Sequence, residues 1–302
     1  MKTKTQLHLG ASMYVPTTQD VSRLVDIANG ARYSQLKSVI FCTEDAVRPE
    51  ELNGALRNLK HALPQFNHND VPMRFIRVRN PGVLGSVMRM AGIERIDGFV
   101  LPKITRANIG DYLSMFSDGD TFRLMPTLET REVFDAYEMT KLRQMLAADS
   151  RVMSRILCLR IGGNDLLNCI RVRRDPRHTI YATAVGDVIK RLAGEFIPHG
   201  IGLTAPVCEV TDPQYNDVLD EEIELDLLQG LFGKTAIHPD QIERIEAHFK
   251  VNPEDYEEAI KIVDPNAPAV FKPGSRMCEP TTHTYWAQDI IARAEAYGVK
   301  GR

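Results

Sequence analysis

Two carboxylates, Glu129 and Asp165, stand where apolar runs give out and helical sequence begins. The first closes LMPTLET. The second follows LCLRIGGN, within residues 156–167, a stretch that reads as a buried strand, a Gly-Gly turn and a helix start. Acids placed where two neighbouring strands end are how parallel α/β proteins build a metal site. Mg²⁺ takes oxygen ligands, uses one or two carboxylates and keeps waters or substrate oxygens for the rest. A 2-oxo acid can chelate such an ion through its carboxylate and keto oxygen, and the ion then stabilises a neighbouring alkoxide. The bland alternative is that both acids cap helices, a common use of Asp near a helix start.

Other residues gather at predicted strand ends. Arg77 and Arg79 share one face of a strand, because strand side chains repeat every two residues. An inward guanidinium needs partners. Arg77 suits stabilisation of a developing enolate oxygen, or a buried ion pair with Glu44 or Asp45, and Arg79 is the weaker substitute for it. Glu44 and Asp45 follow the second strand, where they could bond metal waters or Arg77, or cap the next helix. Gly163 and Asn164 suit a tight turn whose N–H groups are open to a substrate carboxylate. Lys103 raises a Schiff-base reading, which nothing nearby supports. Cys42 reads as a small buried residue and His238 as the opening of a helix. Arg171, Arg173, Arg174 and Arg177 form a basic loop, either solvated or an anion clamp. GLFGKT lacks the P-loop spacing, since Leu228 stands where the first glycine is needed; Lys234 is expected to pack at a barrel mouth.

The elements that must position these groups alternate. Candidate strands are residues 7–15, 37–42, 73–78, 97–101, 122–128, 155–161, 201–207 and 231–237. Helical stretches such as 19–28, 50–62, 83–90, 107–116, 132–148, 185–196 and 219–228 lie between them. Eight strands with intervening helices predict a TIM (β/α)8 barrel. A doubly wound sheet should carry a glycine-rich fingerprint after its first strand, and MYVPTTQD has none. We expect residues 1–252 to form the barrel and 253–302 a helical extension, closing on a helix over 285–297, that packs at the barrel mouth or on a neighbouring subunit.

The chain has 302 residues, 43% hydrophobic and 25% charged, with a net charge of −3. That composition predicts a globular protein without a broad nucleic-acid footprint. No apolar run reaches the ~18 residues that span a bilayer, and the basic N-terminal segment lacks a signal-peptide pattern. Five scattered cysteines without CxxC spacing fit a reduced, cytoplasmic setting.

VIFCTEDAV, SMYVPTTQDV, GFVLPKI, the LET at Glu129, IGGNDLL, GLFGKTAIHPDQI and the tail's MCEP resemble, in order, the motifs of citrate lyase beta subunits (CitE-like) and the wider HpcH/HpaI aldolase family. The resemblance runs from about residue 9 to 298. It implies a TIM barrel, a homotrimer or homohexamer, and Mg²⁺ held by Glu129 and Asp165. It further implies an arginine at Arg77 that polarises a carbonyl, and a tail acid at Glu279 that serves a neighbouring subunit's site. The activity implied is carbon–carbon cleavage of a 3-hydroxy acid or its acyl thioester, on CoA or a carrier protein, with thioester hydrolysis or a catalytically reduced binding subunit as alternatives. Three departures stand out: Cys42 replaces the first acid of the family's DLED, Gly10-Ala11 replaces the arginine that opens the first strand, and Glu279 replaces an aspartate.

Overall fold

A computed structural model describes residues 4–68 and 71–301; the first three residues of the basic N-terminal segment lie outside them. The chain forms two compact units, residues 1–242 and 243–302.

In the first unit β1 (Ala11–Pro16), α1 (Val21–Ala28), β2 (Ser38–Cys42), α2 (Leu52–Ala62), β3 (Met73–Arg77), α3 (Pro81–Met88), β4 (Gly98–Leu101) and α4 (Ile109–Leu113) alternate strictly. There follow β5 (Arg123–Leu128), α5 (Ala136–Ala147), α6 (Ser150–Arg155), β6 (Leu159–Ile161), α7 (Gly163–Cys169), α8 (Ala184–Phe196), β7 (Leu203–Thr204), α9 (Asn216–Leu228) and β8 (Lys234–Ala236). All eight strands are parallel, in the order β7-β6-β5-β4-β3-β2-β1-β8. A parallel bridge between Ala205 and Lys234 joins the two ends. The expected TIM barrel is the observed fold.

Local chemistry explains the boundaries. Asn80 accepts from the N–H of Val83 and Pro81 opens α3, a pairing that suits a helix N-terminus. Asp135, Asp149 and Thr183 cap α5, α6 and α8 in the same way. The helix that Asp149 caps corrects the start of the sixth strand: Arg155 ends α6, Ile156 makes an isolated parallel bridge to Leu124, and regular pairing begins at Leu159. The first strand likewise starts at Ala11, because Gln6–His8 forms a short 3-10 turn.

The barrel interior is layered. Leu9, Ile40, Met73, Phe75, Val100, Met125, Leu157 and Cys158 pack as one buried apolar cluster, with Tyr14 against it. Polar side chains follow two and four residues further along several strands. From Met125 the inward face continues to Thr127 and Glu129, from Cys158 to Arg160 and Gly162, and from Phe75 to Arg77. The apolar floor thus anchors a polar upper half at the C-terminal ends of the strands, the end where β/α barrels place their sites.

In the second unit α11 (Pro253–Ile262) and α12 (Pro280–Tyr297) pack around Val251, Ala259, Ile262, Cys278, Ala287 and Ile290. The closing helix opens at Pro280 rather than 285, with proline in the first turn where its missing N–H costs nothing. Among the described residues no helix is long and apolar enough to cross a membrane.

Candidate active site

Glu129 lies one residue past β5 and is 3% exposed. Its Oε1 accepts from Arg77 Nη2 at 3.0 Å and from the backbone N–H of Lys103 at 2.8 Å. Lys103 adopts a left-handed backbone, φ 51°. Few non-glycine residues do so, and such strain collects at functional sites; here it accompanies the N–H donated to the acid. Burial pushes the Glu129 carboxyl up to about 7, with Arg77 opposing and Asp165 adding to the rise.

Asp165 sits in the first turn of α7. Burial raises its pKa too, Lys103 opposes this and Asp45 adds to it. Asp165 raises the pKa of Glu129 across the cavity that both line, and a cation placed there would relieve that repulsion. Gly162 separates them, and a Cβ there would overlap both Cβ and Oε2 of Glu129. A Cβ on Gly163 would stand 2.8 Å from Ile180 Cδ1 and 2.9 Å from Pro206 Cβ. Gly162 therefore lets the turn pass closely under the acid, and Gly163 lets it pack against Ile180 and Pro206. No group of three or more His, Cys, Asp or Glu side chains among the described residues is arranged to hold a metal. A pair of carboxylates such as Glu129 and Asp165 fits an ion that keeps waters and substrate oxygens rather than a tetrahedral zinc centre.

Arg77, at the last position of β3, is the hub. Its Nη2 meets Glu44 Oε2 at 2.7 Å, Asp45 Oδ2 at 2.9 Å and Glu129 Oε1 at 3.0 Å, while its Nε is buried without a hydrogen-bond partner. Burial opposes the charge, but Tyr14, Glu129 and Glu44 hold its pKa above the ordinary arginine value. Lys103 Nζ reaches Glu44 Oε1 at 2.7 Å and Asp45 Oδ1 at 2.9 Å. Burial works against the lysine charge and these acids more than offset it, holding the amine protonated; that removes the Schiff-base reading. Burial raises the Glu44 pKa, whereas bonds from Glu44 and Lys103 lower that of Asp45 against its own burial.

The remaining residues singled out by sequence fall into place. Arg79 donates to the carbonyls of Thr43, Glu44 and Val47, so its guanidinium fixes the loop that carries the two acids. Cys42 is 1% exposed and its thiol pKa is raised by burial. His238 is exposed and precedes α10 (Asp240–Phe249), with Gln241 accepting from its N–H. Arg174 turns inward to Glu222 at 2.9 Å and Arg177 pairs with Asp175, so the basic loop is not a four-arginine clamp. Lys234 is fully buried, bonded to Glu222, Asp226 and the Pro206 carbonyl. It faces α9, not the mouth, because its neighbour Thr235 takes the inward position. Glu279 is the N-cap residue of α12, where its N–H donates to His283 Nδ1 and Thr282 Oγ1 lies 3.3 Å from its carboxylate.

A cavity of about 250 Å³ is lined by Tyr14, Asp45, Arg77, Glu129, Gly163, Asn164 and Asp165 among others. It has room for a small organic acid and opens to solvent. Its wall includes four residues the sequence reading passed over: Tyr14, Thr127, Arg160 and Thr235.

The chain is 25% identical, over an alignment 305 positions long, to a (3S)-malyl-CoA thioesterase from Cereibacter sphaeroides, covering 94% of each. A CitE protein from Mycobacterium tuberculosis, solved with magnesium, acetoacetate and coenzyme A, matches at TM-score 0.67 and 17% identity over 96% of this chain and 99% of that one. A malate synthase from Haloferax volcanii, solved with magnesium and glyoxylate, matches at TM-score 0.64 and 14% identity over 90% and 79%. The model of the C–C bond lyases of the TIM-barrel fold covers residues 3–299, and the chain belongs to that family.

Proposed function

We propose that this chain is a Mg²⁺-dependent carbon–carbon lyase that cleaves a 3-hydroxy acid or its acyl thioester to a 2-oxo acid and an enolate-derived product. The observation that carries the reading is the contact of Arg77 with Glu129 in a cavity whose other wall is Asp165. Glu129 and Asp165 would hold the ion. Bound there, Mg²⁺ supplies Lewis acidity and a template for the oxygens of the 2-oxo acid.

The chain's own groups do the rest. The substrate carboxylate meets the N–H groups of Gly163 and Asn164, which as first-turn donors have no helical partner. When the hydroxyl proton passes to a solvent water at the open cavity and the bond between the hydroxyl-bearing carbon and its neighbour breaks, the hydroxyl carbon becomes the keto group of the 2-oxo acid and the electron pair moves onto the carbonyl as an enolate. Arg77 is a preorganised cation for that oxygen, and preorganised donors cost no reorganisation during the reaction. Glu44 and Asp45 hold its guanidinium in place, and Arg79 holds their loop. Glu279, delivered from a neighbouring copy in a homotrimer or homohexamer, protonates the enolate carbon.

A second reading is thioester hydrolysis on the same site, favoured by the name of the relative that aligns over 94% of the chain. Retention of both acids and Arg77 speaks against a reduced, purely structural barrel. Calorimetric Mg²⁺ titration tests the metal site: wild type binds, and Glu129→Gln or Asp165→Asn removes binding with the fold intact. Unchanged Mg²⁺ affinity in the double variant would overturn the assignment.

A further inference from the structure

A second buried guanidinium faces the cavity, and it is satisfied in a different way from Arg77. Arg160 is 2% exposed. Its Nη2 donates to Thr235 Oγ1 at 2.6 Å, its Nη1 lies 3.9 Å from Met125 Sδ, and its guanidinium carbon stands 5.6 Å from the Tyr14 ring centroid. Every one of those partners is neutral. Arg77 by contrast contacts three carboxylates. A buried cation without an anion is among the most expensive features a core can carry, and its neighbours do not explain it. Thr127, the register partner of Arg160 across β5 and β6, keeps its Oγ1 buried with no hydrogen-bond partner. A cation without a counter-charge and an unpartnered hydroxyl thus sit side by side in the wall of one cavity.

Their depth is set by the strands. Arg160 and Thr127 lie two residues before Gly162 and Glu129 on the same inward faces, a spacing of roughly 6.6 Å along a strand. An anion held by these two groups would lie deeper than one at Glu129 and Asp165, by about the span of a short dicarboxylic acid. We propose that Arg160, with Thr127 and Thr235, binds a second carboxylate, so that the 2-oxo acid accommodated here is a dicarboxylate. This rests on the reading of the cavity as the acid-binding site and adds the class of acid to it. It also gives the chain a cation inside the barrel where Gly10-Ala11 leaves none on the first strand.

The test is calorimetry on the Mg²⁺-loaded protein with acids of equal length that differ in one terminal group: 2-oxoglutarate against 2-oxopentanoate, and freshly prepared oxaloacetate against 2-oxobutyrate. Wild type should bind the better-fitting diacid roughly ten- to hundredfold more tightly than its monoacid partner, the worth of a charge-assisted bond. Arg160→Gln should erase that preference and leave monoacid affinity unchanged; Arg160→Lys should retain part of it. A purely structural Arg160 would instead weaken both acids alike. Equal affinity of wild type for diacid and monoacid at both lengths overturns the proposal without any variant, so a poorly folding variant does not shelter it. Mg²⁺ binding with no binding of either acid overturns the acid-site reading itself, an outcome distinct from lost selectivity.

Discussion

Gly162 lies so close beneath Glu129 that a methyl group on its Cα would overlap the acid's Cβ and Oε2. The turn between β6 and α7 is therefore shaped around the carboxylate, and the absence of a side chain at one residue sets the position of a functional group 33 positions earlier in the chain (162 minus 129). Gly162→Ala should fold and lose Mg²⁺ affinity roughly 10- to 100-fold, the usual effect of displacing a metal ligand's support. Gly163→Ala meets Ile180 and Pro206 instead. It should cost about 1–3 kcal/mol of stability through overpacking with a smaller effect on the metal. Calorimetry and thermal melts on both variants check the contrast.

The raised Glu129 pKa has a pH consequence. A carboxyl whose folded pKa lies above its ordinary 4.5 favours the folded state while protonated. That contribution is intact below about 4.5 and is lost as pH rises through about 7. Metal-free protein should therefore lose stability over this window, and Mg²⁺, which competes with the proton, should stabilise increasingly across it. At a hundredfold excess over Kd the gain at pH 8 should be about 4 °C in Tm, and near zero at pH 5. Melts with and without Mg²⁺ from pH 5 to 8 measure it. In Glu129→Gln the Mg²⁺-dependent gain should vanish at every pH.

Lys234, Glu222, Asp226 and Arg174 form a buried network between β8 and α9 and its flanking loops. Burial pushes Asp226 up to about 6 even with the lysine beside it. Lys234→Met would leave Asp226 in the interior without a cation, while Glu222 keeps Arg174, at a cost of about 3–5 kcal/mol. Urea denaturation should show this loss, and the variant should keep its Mg²⁺ affinity wherever it remains folded.

Glu279 is expected to act on a neighbouring copy. Glu279→Gln and Glu129→Gln proteins, each inactive, should recover a fraction of wild-type activity when mixed under conditions that exchange subunits. No recovery despite demonstrated exchange would confine Glu279 to its own chain, and full activity of Glu279→Gln alone would remove it from the mechanism.

How far the sequence carries this account depends on the residue. The barrel and the strand-end placement of Glu44, Asp45, Arg77, Glu129 and Asp165 follow from apolar runs ending in acids, a local signal. Arg160 was hidden because LCLRIGG reads as a buried apolar run, yet an arginine inside such a run, in step with Cys158 and Gly162, is itself the clue. Lys234 was misplaced because which face of β8 points inward depends on pairing with β1, which no local pattern reports. Arg174 looked solvated because its partner Glu222 lies on α9, far along the chain. Lys103's left-handed backbone carries no sequence mark at all, since it is imposed by the surrounding structure.

The central claim is carbon–carbon cleavage, and product identity tests it most directly. Malyl-, citramalyl- and citryl-thioesters and the corresponding free acids should be incubated with the protein, with Mg²⁺ or with chelator, and both the 2-oxo acid and the free thiol quantified. The account predicts, for at least one member of the panel, stoichiometric 2-oxo acid with the product thioester left intact, and no reaction under chelation. Free thiol released without 2-oxo acid, or cleavage that persists without metal, would contradict it.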